Sequence, residues 1–218
     1  MDFRNAKELL KVCQEQNLSI SAVMLQRELT EGEQDPEETD RKMDRVLEIM
    51  KSAASTPIHT PVKSMGGLIG GEAKKISDHK DAGKGLCGDL LERAVIYAMA
   101  TLETNASMGV IVASPTAGSA GIVPGLLLAL QETYDLSDEQ IKQGLYNASA
   151  IGYLAMRNAT VAGAVGGCQA EVGIASAMAA SATVELMGGS PEQSLAAAST
   201  VLMNMLGLVC DPVGGLVE

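Results

Sequence analysis

Charged and apolar positions are unevenly distributed along the chain. Up to Glu103 there are 14 basic and 18 acidic side chains, whereas Thr104 to Glu218 carries only Lys142, Arg157 and 9 acidic residues. The second half therefore supplies the core. Its low-charge stretches are filled with Ala, Gly, Ser and Met, and small side chains at helical spacing let helix backbones approach closely; strands would draw on the Val, Ile, Tyr and Phe that are sparse there. The pattern predicts an all-α fold, a compact helical domain with small-residue core helices and a Gly-rich loop. Local chemistry marks the helix starts. Asp35-Pro36-Glu37-Glu38 places an acceptor at the N-cap and Pro at the first helical position, and Ser137 to Gln140 and Ser190 to Gln193 each spell a capping box, the second just after Gly188-Gly189. Helices are expected near residues 4–16, 20–31, 36–54, 88–104, 120–133, 138–157, 170–187 and 191–208. Residues 55–85 read as a loop, because Pro57, Pro61, Gly66-Gly67, Gly70-Gly71 and Gly83 interrupt any helical period.

Length changes this picture little: 218 residues suit one domain spanning 1–218, at roughly 100 to 200 residues per domain. Charge excludes more. A net charge of −11 repels a phosphate backbone, and four Tyr, one Phe and no Trp offer few stacking platforms, so no nucleic-acid partner is expected. The first sixteen residues interleave Asp2, Arg4, Lys7, Glu8, Lys11 and Glu15 where a signal peptide would need an apolar run, which points to the cytoplasm. Thr104 to Gln131 lacks charge, but its Pro, Gly and hydroxyl content suits a loop entering a buried helix better than a membrane span, so no membrane partner is expected either. The acidic run Glu31 to Asp44 is accounted for by capping and a solvated face. Four scattered cysteines, at 13, 87, 168 and 210, make no disulfide framework; in a reducing compartment such residues remain thiols, act catalytically or bind metal.

Candidate chemistry concentrates in few places. Gly83-Lys84-Gly85-Leu86-Cys87-Gly88 matches a dinucleotide-binding glycine fingerprint, yet the polar residues 74–81 make a poor preceding strand and no βαβ alternation follows. Three other stretches are more distinctive. The first, Asn105 to Gly121, combines glycines that allow close backbone approach with hydroxyls that can donate to a carboxylate, and a helix from about residue 120 would aim N–H groups at the same anion. Locally, those hydroxyls could equally serve only as caps. The second is Gly166-Gly167-Cys168-Gln169-Ala170-Glu171-Val172-Gly173 and the third Leu208-Val209-Cys210-Asp211-Pro212. Each sets a cysteine at a helix terminus, and a thiol at a helix start is pushed toward the thiolate that binds metal. Taken alone, two cysteines so far apart are more often buried hydrophobes than ligands.

Together these three stretches closely resemble the alpha chain of the iron-sulfur-dependent L-serine dehydratases. The likeness spans essentially the whole chain, including Phe3-Arg4-Asn5-Ala6-Lys7-Glu8-Leu9 and Gly70-Gly71-Glu72-Ala73-Lys74-Lys75. It implies a helical catalytic part that converts L-serine to pyruvate and ammonia, with substrate contacts sought at Asn105, Ser107, Met108, Gly109, Thr116, Ala117, Gly118 and Ser119. It also implies a 4Fe-4S cluster held by three cysteines, of which Cys168 and Cys210 match two. The third ligand is expected beyond Glu218, so the chain is read as cut shortly before its natural end, with no cluster on the chain as it stands and a loose Cys210 segment. Three thiolates leave one iron open as a Lewis acid for the β-hydroxyl. A beta chain is the implied partner, within a hetero- or homo-oligomer.

The catalytic base is not assigned. His59 and His79 qualify by type but lie outside the three stretches, and the resemblance allows the base to come from the beta chain. Two rivals stay open. A pyridoxal-phosphate enzyme would do the same net reaction, but the core half offers only Lys142 for a Schiff base. Alternatively, the chain is a non-catalytic helical module that needs a beta chain for any activity.

Overall fold

A computed structural model describes residues 2–32 and 35–207. Among them the chain forms nine helices and no strand: α1 (Ala6–Gln16), α2 (Ile20–Glu31), α3 (Pro36–His59), α4 (Glu72–Asp81), α5 (Asp89–Ala106), α6 (Ile122–Tyr134), α7 (Asp138–Asn158), α8 (Gly163–Leu186) and α9 (Pro191–Met205). The all-α expectation holds. The caps act as the sequence predicts, with the Asp35 side chain accepting from the Glu38 N–H and full capping boxes at Ser137 with Gln140 and Ser190 with Gln193.

Two departures share one physical cause. α3 continues through Pro57 to His59 rather than stopping near residue 54. Proline lacks the N–H that would serve the carbonyl four residues earlier, that of Ala53. The Thr104 hydroxyl of α5 donates to that oxygen at 2.9 Å, so the defect is repaired from another helix. Similarly, α4 occupies part of the segment read as a loop. Gly71 at its N-cap (φ 91) offers no side-chain acceptor. The Ala73 N–H instead donates to Glu103 Oε1 at 2.8 Å, a carboxylate on α5 that is 1% exposed. A second distant carboxylate joins elements in the same way, since Glu185 of α8 accepts from the Ile20 N–H at the start of α2 (3.0 Å) and from Asn147 Nδ2 of α7 (2.7 Å).

Small residues set the spacing of the core helices. A Cβ added at Gly121 would stand 2.5 Å from the Ala98 carbonyl oxygen, and one at Gly125 2.9 Å from both the Ala94 oxygen and the Ala98 methyl. The backbones of α5 and α6 therefore approach as closely as glycine permits. α8 is buried along its middle through Gly173, Ile174, Ala175, Ala177, Met178, Ala179, Ser181 and Ala182, and it packs on α6, α7 and α9. A second core joins Phe3, Leu9, Cys13, Ile20 and Val23 to Tyr146 and Ala150 of α7. Burial pushes the Cys13 thiol up to about 11, as befits a packing residue.

The acidic run also finds its role in packing. Asp35 caps α3, while Asp40 and Asp44 meet Lys142 Nζ at 2.6 and 3.0 Å, joined by Glu139 at 2.9 Å. The hydrogen bond to Asp40, aided by those to Glu139 and Asp44, raises the Lys142 pKa above its ordinary 10.5. That raised value ties stability to pH. The contribution is fully present below 10.5, and it declines as pH rises through the higher folded value. Lys142→Met should therefore flatten the alkaline limb of a stability-versus-pH curve, and an unchanged limb would contradict the pairing. Gly125→Val should cost about 1–3 kcal/mol by forcing α5 from α6. Denaturant melts check this, and an unmoved midpoint would show that the two helices have room to spare.

Candidate functional site

The first distinctive stretch begins at the end of α5. There the Met108 N–H donates to the Asn105 oxygen (3.0 Å) and the Gly109 N–H to the Thr104 oxygen (2.8 Å), the paired bonds of a Schellman ending. The left-handed position of such an ending usually holds glycine, but here it is Met108, with φ 65 and its side chain 76% exposed. An L-residue in that region costs about 1–2 kcal/mol. Gly109 is obligatory for space, since a Cβ there would stand 2.7 Å from Thr104 Cγ2. Ser107 spends its hydroxyl on the Thr104 oxygen (3.0 Å).

Further along, residues 114–119 fold into a closed loop. The Ser114 N–H donates to the Thr116 oxygen (3.3 Å), the Ser119 hydroxyl to the Ser114 oxygen (3.4 Å), and the Thr116 and Ser119 hydroxyls lie 3.1 Å apart. Asn105 reaches across from α5 and donates through Nδ2 to the Ala117 oxygen at 3.1 Å. Asn105 and the Thr116–Ser119 loop are thus brought together, whereas Ser107, Met108 and Gly109 belong to the helix ending. α6 begins at Ile122, two residues later than expected, and its approach spends N–H groups locally. Ala120 donates to the Ala117 oxygen and Ile122 to the Ser119 oxygen, at 3.3 and 3.2 Å.

The second stretch arrives from α8. Gly167 (φ 75, ψ 172) breaks the helix after its first turn, and the long buried segment starts afresh from Cys168, close to the predicted start at 170. Cys168 is partly exposed. One turn further, Glu171 meets the loop, its Oε1 accepting a hydrogen bond from the Thr116 hydroxyl. A Cβ at Gly118 would stand 2.9 Å from Oε1, and one at Gly163 would stand 2.4 Å from Oε2. Glycines on both sides are what admit the carboxylate. Glu171 lies outside the residues expected from the sequence, although its position three residues after Cys168 puts both on one helix face.

The third stretch, with Cys210, lies outside the described residues, as does the end of the helix expected to reach 208. The chain is followed as far as Gly207, whose N–H donates to Gln169 Oε1 at 3.2 Å, beside Cys168. Among the described residues no three His, Cys, Asp or Glu side chains are grouped to hold a metal ion. Nor is any described helix long and apolar enough to cross a membrane.

Other candidates resolve differently. The fingerprint at 83–88 follows helix α4 and not a strand, so the turn that would present a pyrophosphate is missing. Cys87 is exposed there, in a pocket with His79 and Lys80. His59 ends α3 and His79 lies in the last turn of α4, both exposed. Behind the 112–115 strand of loop lies a cavity of about 340 Å³ lined by Met43, Val112, Val123, Leu145, Met156 and Met178 with few polar groups. A charged molecule would lose its hydration there without replacement, so the cavity suits an apolar occupant.

The sequence profile of the family described as "Serine dehydratase alpha chain" matches residues 15–218. A probable L-serine dehydratase alpha chain of Bacillus subtilis (strain 168) is 49% identical over 216 residues, covering 99% of this chain and 72% of the relative. The L-serine dehydratase alpha chain of Peptoniphilus asaccharolyticus is 43% identical over 216 residues, covering 99% and 74%. An L-serine dehydratase of Streptomyces coelicolor is 38% identical over 222 residues, which is 99% of this chain but 48% of that longer protein.

The Met108 geometry generates a direct test. Met108→Gly should relieve the left-handed backbone and raise unfolding stability by up to about 1 kcal/mol, measured by denaturant titration. A loss of stability would show that the exposed side chain supports the fold.

Proposed function

Since the chain belongs to the serine dehydratase alpha chain family, we propose that it is the part of an L-serine dehydratase that binds the substrate and holds a 4Fe-4S cluster, producing pyruvate and ammonia from L-serine. The observation that carries this reading is the junction of the Thr116–Ser119 loop with the α8 face that bears Cys168 and Glu171. Two of the three stretches that suggested the chemistry meet there.

The residues present fit the cluster in their donor chemistry. Cys168 stands at a helix restart, where the helix dipole favours thiolate, and α9 leads the chain to Gly207 beside Gln169. Cys210 follows three residues later and is the proposed second ligand, with a third thiolate to be supplied from outside this sequence. When bound by three thiolates, such a cluster supplies an iron with an open position, a Lewis acid toward the substrate hydroxyl. This chain's own residues would bind and orient. Thr116 and Ser119 present hydroxyls, Asn105 holds the Ala117 carbonyl and so fixes the loop, and the glycines at 118 and 163 leave space for the Glu171 carboxylate.

A beta chain is the proposed partner. The relatives named alpha chains, and an L-serine dehydratase more than twice this length, support it. So do the exposed side chains of Met65, Leu68, Met108 and Val110, which the Met65 N–H to Ala106 oxygen bond (3.0 Å) brings into one region. A pyridoxal-phosphate enzyme is disfavoured, because Lys142 is tied to three carboxylates that keep it charged and non-nucleophilic.

Protein prepared without oxygen, extended through any natural C-terminal continuation and paired with its beta chain, should form pyruvate from L-serine without added pyridoxal phosphate. Iron chelation should remove activity and the broad visible absorbance together. Cys168→Ala and Cys210→Ala should each lose iron, while Cys13→Ala retains it. Full activity in iron-free protein, or equal iron in all three variants, would contradict the assignment. Wild-type pairs that carry iron but leave L-serine unchanged would favour the non-catalytic module.

A further inference from the structure

We infer that Glu171 is the residue that receives the α-ammonium group of the amino acid substrate, and hence the residue that makes this site select amino acids over hydroxy acids; this rests on the proposed dehydratase reading. Glu171 is the one charged side chain between residues 158 and 184, and the loop it meets lies in the uncharged run Thr104 to Gln131. No Lys or Arg pairs with it among the described residues. Its Oε1 is held by the Thr116 hydroxyl, and Oε2 lies over Gly163. No described residue donates a hydrogen bond to Oε2.

A partly exposed carboxylate in that setting is anchored by one oxygen and open at the other. Space is reserved around it by two glycines that have no other evident need, since neither Gly118 nor Gly163 has a left-handed backbone. An ionised carboxylate only accepts hydrogen bonds and an ammonium only donates them. The neighbouring hydroxyls of Thr116 and Ser119 spend their protons on Glu171 Oε1 and the Ser114 oxygen, and keep lone pairs that can accept from the same ammonium. Loop and helix together thus offer hydrogen-bond acceptors to an ammonium group, with Glu171 as the negative charge among them. Glu171 also shares a helix face with Cys168, so an amino acid held through its nitrogen at Oε2 would lie at the end of α8 where the proposed cluster ligand stands.

The test uses the cluster-loaded protein with its beta chain and two non-reacting probes. L-alanine has the ammonium but no β-hydroxyl, and 3-hydroxypropanoate has the hydroxyl but no amine. In Glu171→Gln, calorimetry should show L-alanine weakened at least tenfold while 3-hydroxypropanoate changes less than twofold, and KM for L-serine should rise in step with L-alanine. Gly118→Ala, which crowds Oε1 from the other side, should weaken L-alanine in the same selective way. Iron content and helical circular dichroism should match the wild type. Unchanged L-alanine binding, or equal weakening of both probes, would overturn the assignment, as would a fall in kcat with KM unmoved. A wild-type protein that turns over L-serine alongside an indifferent Glu171→Gln sinks this inference alone; a wild-type protein without activity on L-serine sinks the dehydratase reading.

Discussion

Everything else in the molecule is arranged around the burial of α8. A helix covered on several sides can carry no charge there and little bulk, and residues 173–182 comply with Gly, Ala, Ser, Ile and Met. α6, α7 and α9 pack against it, and α5 reaches the same core through the glycine contacts of α6. The charges displaced from this half of the chain sit on the outer helices, where Lys142 draws α3 and α7 together through Asp40, Asp44 and Glu139.

The same constraint shapes the proposed site. A buried helix exposes its chemistry only at its ends, and at the N-terminal end Gly167 breaks the backbone so that Cys168 and Glu171 begin a new helical segment. Glu171 then fastens the 114–119 loop through Thr116, while Asn105 fastens it from α5. Two helices, α5 and α8, therefore converge on one short loop. At its other end, α8 carries Glu185, which caps α2 and binds Asn147, so one helix links the N-terminal core to the candidate site.

How much of this was legible depended on how far apart the interacting residues lie in the chain. The caps at Asp35, Ser137 and Ser190 act over three residues, and they placed α3, α7 and α9 at their correct starts. α4 was hidden because its cap is Glu103, thirty residues away, and the extension of α3 past Pro57 was hidden because the rescuing hydroxyl is Thr104. Of the residues picked out between 105 and 119, Ser107, Met108 and Gly109 form the helix ending, whereas Asn105 in α5 is joined to the Thr116–Ser119 loop through the Ala117 oxygen. What could not be read was the carboxylate opposite them. Glu171 becomes a site residue only when Gly118 and Gly163 bring backbone against it, although its isolation in a charge-free run and its spacing from Cys168 were visible clues.

The central claim is that the Thr116–Ser119 loop and the start of α8 form one substrate site. Amide hydrogen exchange on the cluster-loaded pair, with and without saturating L-alanine, addresses it most directly. Added amino acid should slow exchange in both 105–121 and 163–172, segments far apart in the chain that change together. Protection confined to one of them, or appearing instead around the apolar cavity lined by Met43, Met156 and Met178, would contradict it.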